Sequence, residues 1–110
     1  VMGGKCTHAV QKRVKVGDFR VQDDFGGTVH HFSLTPELIE FAEMVIGLID
    51  PKPLYGRVDI LRNDADQWIV SEVELIEPEL WFRIAPEAVE HLAMAIHNHI
   101  QQHHENHSNP

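Results

Sequence analysis

Three acidic residues and an arginine sit at spacings that can do chemistry: Arg57 and Asp59 in Tyr55-Gly56-Arg57-Val58-Asp59-Ile60, and Glu72 and Glu74 in Ser71-Glu72-Val73-Glu74-Leu75-Ile76. Side chains alternate across a strand with period two. If both stretches are strands of one hairpin, Val58, Ile60, Val73 and Leu75 form its core-facing side, and Arg57, Asp59, Glu72 and Glu74 share the other. A four-residue turn over Asn63 to Asp66 pairs Arg62 with Gln67 and places Arg57 opposite Glu72, with Asp59 diagonal to Glu72. Carboxylate oxygens gathered on a rigid face suit a hard cation such as Mg²⁺, which commonly bridges protein carboxylates and substrate phosphates. The solvated side of an amphipathic sheet, its repulsion softened by Arg57, presents the same pattern.

The elements that must position these groups are readable along the chain. Gly3-Gly4 reads as a two-residue hairpin turn, followed by an extended run from Lys5 to Val16 and another from Asp18 to Val21. So little precedes the turn that the chain is expected to be part of a longer protein. Gly26-Gly27 breaks the extended pattern, and His30 to Phe32 predicts a short strand. Thr35-Pro36-Glu37 is a helix start, with Leu38, Ile39, Ala42, Val45, Ile46 and Ile49 on one face, stopped by Asp50-Pro51-Lys52-Pro53. Tyr55 to Arg62 and Gln67 to Ile76 are the paired strands, and Leu80 to Ile84 predicts another. Pro86 opens a last helix with Val89, Leu92, Ala93, Ile96 and Ile100 inward, and from Gln101 a polar, His-rich tail is expected to fray. The class is α+β, a mainly antiparallel sheet with two helices on one face.

Composition narrows the function classes. The 110 residues carry a formal charge of −8, with 43% hydrophobic and 24% charged residues, ordinary for one soluble domain. Net acidity argues against nucleic acid as a partner, because Lys and Arg supply most non-specific affinity for phosphate backbones. Charge is uneven: Lys5, Lys12, Arg13, Lys15 and Arg20 against Asp18 leave residues 1–22 at +4, and the rest at −12. A small basic patch beside an acidic surface suits a compact phosphate ligand plus a cation. The lone Cys6 allows no internal disulfide and points to a reducing, cytoplasmic compartment, and no apolar run is long enough for a membrane span.

Two blocks go further. Thr7-His8-Ala9-Val10-Gln11-Lys12-Arg13, with Gly17-Asp18-Phe19-Arg20-Val21-Gln22 and Phe25-Gly26-Gly27-Thr28, precedes Tyr55-Gly56-Arg57-Val58-Asp59 and Glu72-Val73-Glu74-Leu75-Ile76-Glu77-Pro78. In this order they resemble the C-terminal part of ATP-grasp proteins, nearest to the glutathione synthetase and ribosomal-protein glutamate ligase branch, over roughly residues 1–97. The resemblance implies an ATP- and Mg²⁺-dependent (or Mn²⁺-dependent) ligase that joins a carboxylate to an amine through an acyl phosphate. Residues 1–100 would be its C-terminal lobe, with 101–110 as the tail. It implies that Asp59 and Glu72 hold metal between ATP phosphates, with Glu74 where many relatives carry Asn, an added charge that leaves the metal stoichiometry open. Arg20 matches an Arg near the transferring phosphate. Gly26 and Gly27 match a Gly pair that lets backbone approach a ligand, or form a bend between strands. Lys12 and Arg13 either face the nucleotide or solubilise an edge strand. The substrate would be a small-molecule or peptide carboxylate bound with the rest of the protein, and the lobe alone is expected to be inactive and to self-associate.

The competing reading is a non-catalytic binding module, either a degenerate ATP-grasp lobe or a metal binder built on the tail. His91, His97, His99, His103, His104 and His107 crowd the chain's end, and His99 with His103, or His103 with His107, is spaced as a transition-metal clip on a continuing helix. Cys6 and His8 lack a third group for nucleophilic catalysis, and His8 is expected to be structural.

Overall fold

The computed structural model describes residues 1–13 and 27–108, with side chains through 106. Its elements are β1 (Ala9–Arg13), β2 (Thr28–Phe32), α1 (Pro36–Gly47), β3 (Arg57–Arg62), β4 (Trp68–Glu74) and α2 (Ala88–Ser108). This is an α+β arrangement in which the described strands form two antiparallel pairs, β1 with β2 and β3 with β4.

The start of the chain is tied down by backbone pairing. Gly3 and Gly4 take φ of +57° and +83°, and Met2 and Lys5 exchange hydrogen bonds of 2.8 and 3.0 Å across them. Both turn positions require the left-handed region, which glycine enters without a Cβ penalty. Val1 and Gly56 exchange two further bonds of 2.9 Å, and Gly3 N–H donates to the Leu54 carbonyl at 2.7 Å. The extended run expected from Lys5 to Val16 becomes regular strand only at Ala9. The run expected over Asp18 to Val21 lies outside the described residues.

Helix α1 forms where its signals place it. The Thr35 hydroxyl accepts from Leu38 N–H at 3.2 Å, Pro36 opens the first turn and Glu37 sits at the positive end of the dipole. Leu38, Ala42 and Ile46 recur every four residues and are buried, Ile46 completely. Full burial of such a side chain contributes about 1.5–3 kcal/mol. Ile46 reaches the start of β3: a Cβ on Gly56 would lie 2.8 Å from Ile46 Cδ1 and 3.0 Å from Leu75 Cδ2. Helix and hairpin therefore meet at a residue without a side chain. Met2, Trp81, Ala85 and Ala88 complete the core. Val58, Ile60, Val73 and Leu75, expected in that core, are half-buried, because α1 covers only the Gly56 end of the hairpin.

Three further expectations are corrected. Leu80 to Ile84 is a turn rather than a strand: Trp81 takes φ +59°, and Ile84 and Ala85 N–H groups both donate to its carbonyl at 3.0 Å. The expected tail is helical through Ser108, since Gln, Glu and His continue a helix that no Gly or Pro interrupts. Of the last helix's expected inward face, Val89, Ala93, Ile96 and Ile100 are exposed and Leu92 is half-buried, while Ala88, outside that face, is buried and Ala95 half-buried.

Candidate metal centre

Strands β3 and β4 pair Arg57 with Glu74, Val58 with Val73 and Asp59 with Glu72, then shift register so that Ile60 pairs with Val70, Leu61 with Ile69 and Arg62 with Trp68. Asn63 N–H donates to the Gln67 carbonyl at 3.0 Å and Asp66 N–H to the Asn63 carbonyl at 2.9 Å, with Asp66 at φ +59°. The connection is thus a three-residue loop, Asp64 to Asp66, with an Asp in the left-handed position such loops require. The Asn63 side-chain oxygen accepts from Ala65 and Gln67 N–H, which fixes the loop further. Compared with the expected four-residue turn, pairing moves by one residue at the loop and by another at Ser71, the residue left over in the bulge. The two shifts cancel in parity, so the acids keep their common face, and Asp59 is directly opposite Glu72 rather than diagonal to it.

Asp59, Glu72 and Glu74 each offer a carboxylate oxygen, and the three oxygens lie within 4.8 Å of one another. At Mg–O distances of ~2.0–2.1 Å, two ligands of an octahedral ion are about 2.9 Å apart when adjacent and about 4.2 Å when opposite. The donor set fits a hard divalent cation in kind, and small side-chain movements would bring it to fit in distance.

A cation of the protein's own already stands there. Arg57 donates from Nε to Asp59 Oδ1 at 2.9 Å and from Nη2 to Asp59 Oδ2 at 3.0 Å, and Nη2 lies 3.1 Å from Glu74 Oε1. Its Nη1 donates to the Glu79 carbonyl at 3.2 Å. Burial pulls the guanidinium pKa down, but the Asp59 hydrogen bond and the charges of Asp59, Glu74 and Glu72 outweigh it and raise it. Glu72 is exposed, yet its pKa is raised above the ordinary 4.5, first by the hydrogen bond it can share with Glu74 and then by the charge of Glu74, with slight desolvation and Asp59 adding and Arg57 opposing. Glu72 is the member of the group that Arg57 does not grip.

The other expected site residues are arranged differently. Lys12 Nζ stands 5.3 Å from the Trp81 ring centroid, and Arg83 stacks on the same ring at 4.9 Å. Arg13 Nε donates to Gln11 Oε1 at 3.1 Å on the exposed side of β1. Gly27 lies just before β2 and is half-buried. Arg20 and Gly26 lie outside the described residues. Segment 79–81 supports both halves: it takes Arg57 on the Glu79 carbonyl, Lys12 on Trp81 and His8 Nε2 on the Leu80 carbonyl at 2.7 Å. A carbonyl only accepts, so His8 carries its proton on Nε2, and Nδ1 accepts from the Thr7 hydroxyl at 2.7 Å. His8 is a strut between β1 and this segment, as its isolation in the sequence implied. Burial pushes the Cys6 thiol up, against the pull of the Val1 ammonium and with help from Glu43, which favours the protonated, less nucleophilic form.

The supporting role of segment 79–81 had no sequence signal, because Trp81 in the left-handed region has none. Arg57 as a gripping partner did have one, its position two residues from Asp59 on one strand face. Compared with protein-family models, curated proteins and solved structures, the chain finds no match in any of the three. No helix among the described residues is long and apolar enough to cross a membrane.

Proposed function

We propose that the chain is the C-terminal, metal- and phosphate-binding lobe of an ATP-dependent carboxylate–amine ligase of ATP-grasp type. In this reading Asp59, Glu72 and Glu74 hold Mg²⁺ or Mn²⁺ against ATP phosphates. Arg20 stabilises charge on the transferring phosphoryl group, and Lys12, Arg13, Gly26 and Gly27 serve the nucleotide side. The acids are the observation that carries the reading: three carboxylates converge on a sheet face open to solvent, in the residues that carry the resemblance. ATP phosphates complete the metal's shell, so the lobe alone binds the ion weakly and catalyses nothing; the carboxylate substrate is held with the rest of the protein. A single free Cys6 is in keeping with a reducing, cytoplasmic setting.

The test is ATP turnover by the full-length protein. Asp59→Asn and Glu72→Gln should each abolish it while leaving the protein folded at the assay temperature. Turnover close to wild type in both variants would sink the assignment.

One observation favours a second reading, a degenerate lobe that binds without catalysis. The bidentate Arg57–Asp59 pair fills a metal ligand with an internal cation. If Mn²⁺ affinity fails to tighten when ATP is added, the second reading is the correct one.

A further inference from the structure

The two halves of α2 are covered differently. Ala88 is 1% exposed, and the Ala95 methyl lies 3.2 Å from where a side chain on Gly3 would begin. From Ile96 to Asn106 every side chain is exposed. The C-terminal half of the helix therefore projects from the body, in keeping with principal extents of 62 × 29 × 23 Å. These turns propagate from a first half that packing already holds, so they need no nucleus of their own, but each added residue gains little and the unpacked end is the part of α2 that can fray.

His99 and His103 lie on that projecting half, one turn apart. Residues four apart on a helix have Cβ atoms about 5–6 Å from each other and share a face. Together with Ile100 and His104 they line one shallow hollow of about 330 Å³. Imidazole nitrogens are borderline ligands that select zinc, copper and nickel, whereas the carboxylate face on β3 and β4 is a hard-cation set. The molecule thus carries two donor sets of different chemical class on different elements.

We infer that His99 and His103 form a two-histidine clip for a divalent transition-metal ion, and that the ion staples the projecting turns of α2. Joining successive turns fixes backbone that packing leaves unsupported, so ion binding and helix formation are one equilibrium. This inference is independent of the ligase proposal, since no residue is shared between the two sites.

The experiment titrates ZnCl₂, and separately NiCl₂, into the 110-residue chain carrying Asp59→Asn and Glu72→Gln, which removes the carboxylate site. Calorimetry and the helical circular-dichroism band are read together. The expected result is one ion per chain, a helical signal that rises with occupancy, and reversal by a chelator. Losing a residue that merely supports a ligand costs roughly 10–100-fold in affinity, so His99→Ala and His103→Ala should each lose at least about tenfold. The double variant His97→Ala/His104→Ala removes histidines without touching the pair and should retain both affinity and helical gain. Equal loss in that variant would mean adventitious binding that follows histidine number, and overturns the clip. Loss in His103→Ala but not in His99→Ala would pair His103 with another residue, and overturns the assignment. Binding without helical gain would overturn the stapling.

Discussion

Arg57 grips both carboxylate oxygens of Asp59, at 2.9 and 3.0 Å, from two residues away on the same strand. The pair is partly sheltered, with side chains 17% and 30% exposed. A divalent ion that used Asp59 would take the remaining lone pairs of Oδ1 or Oδ2 and stand against the guanidinium charge. The arginine is therefore a competitor for the site as well as its counter-charge, and this relation sets the first prediction.

Replacing Arg57 with Met keeps most of the apolar stem and removes the competing cation. Mn²⁺ affinity, followed by calorimetry, should rise several-fold. Without metal the fold should lose about 1–2 kcal/mol, the scale of charge-assisted hydrogen bonds at a partly exposed site, and regain part of it with excess MgCl₂. A drop in metal affinity would show that Arg57 orders the carboxylates more than it blocks them.

The raised pKa of Glu72 gives a pH dependence of unusual sign. In the folded state Glu72 holds its proton more tightly than in the unfolded chain. Its repulsion from Glu74 is thus fully present at neutral pH and is relieved as pH falls through the folded value, which lies above the ordinary carboxyl value. Glu72→Gln should accordingly be more stable than wild type at neutral pH, with the advantage fading on acidification. Urea melts across a pH series measure the difference, and a Gln variant less stable at neutral pH would contradict it. Metal affinity should fall over the same range as the carboxyl protonates.

Gly56 lies where α1 meets the hairpin, and a methyl there would stand 2.8 Å from Ile46 Cδ1 and 3.0 Å from Leu75 Cδ2. Gly56→Ala gains about 0.4–1 kcal/mol by restricting the unfolded chain. Overpacking typically costs 1–3 kcal/mol, so the net effect should be a loss of roughly 1–2 kcal/mol in denaturant melts. An unchanged midpoint would mean that helix and hairpin part easily.

Self-association should grow with protein concentration. Among the described residues each two-stranded pair leaves strand edges open, and Leu48, Ile76, Met94 and Ile100 are more than half exposed. Net charge opposes contact, but screening limits its reach to ~8–10 Å at moderate salt. Light scattering over a concentration series at physiological salt should show a rising mean mass, and a constant monomer mass would exclude it.

What was legible in the sequence depended on how local the cause is. Thr35 and the four-residue recurrence of Leu38, Ala42 and Ile46 are local signals, and α1 follows them. The common face of Asp59, Glu72 and Glu74 was legible as parity, while the register was not, because it depends on a left-handed Asp66 and an unpaired Ser71. Leu80 to Ile84 has a strand's composition, but Trp81 turns into the core at φ +59°, an outcome set by tertiary burial. The apolar stripe of α2 reads as an inward face, yet the body reaches only the Ala88, Leu92 and Ala95 side.

Ser71 acts on the metal centre through chain length and shape, without contributing a ligand. A chain lacking it would still set Asp59 against Glu72, now in an unbroken ladder. What would vanish is the extra right-handed twist that a bulge imposes, and with it the angle at which Glu72 leans toward Asp59. Metal affinity in this hairpin is therefore adjustable by deletion at a position that offers no ligand.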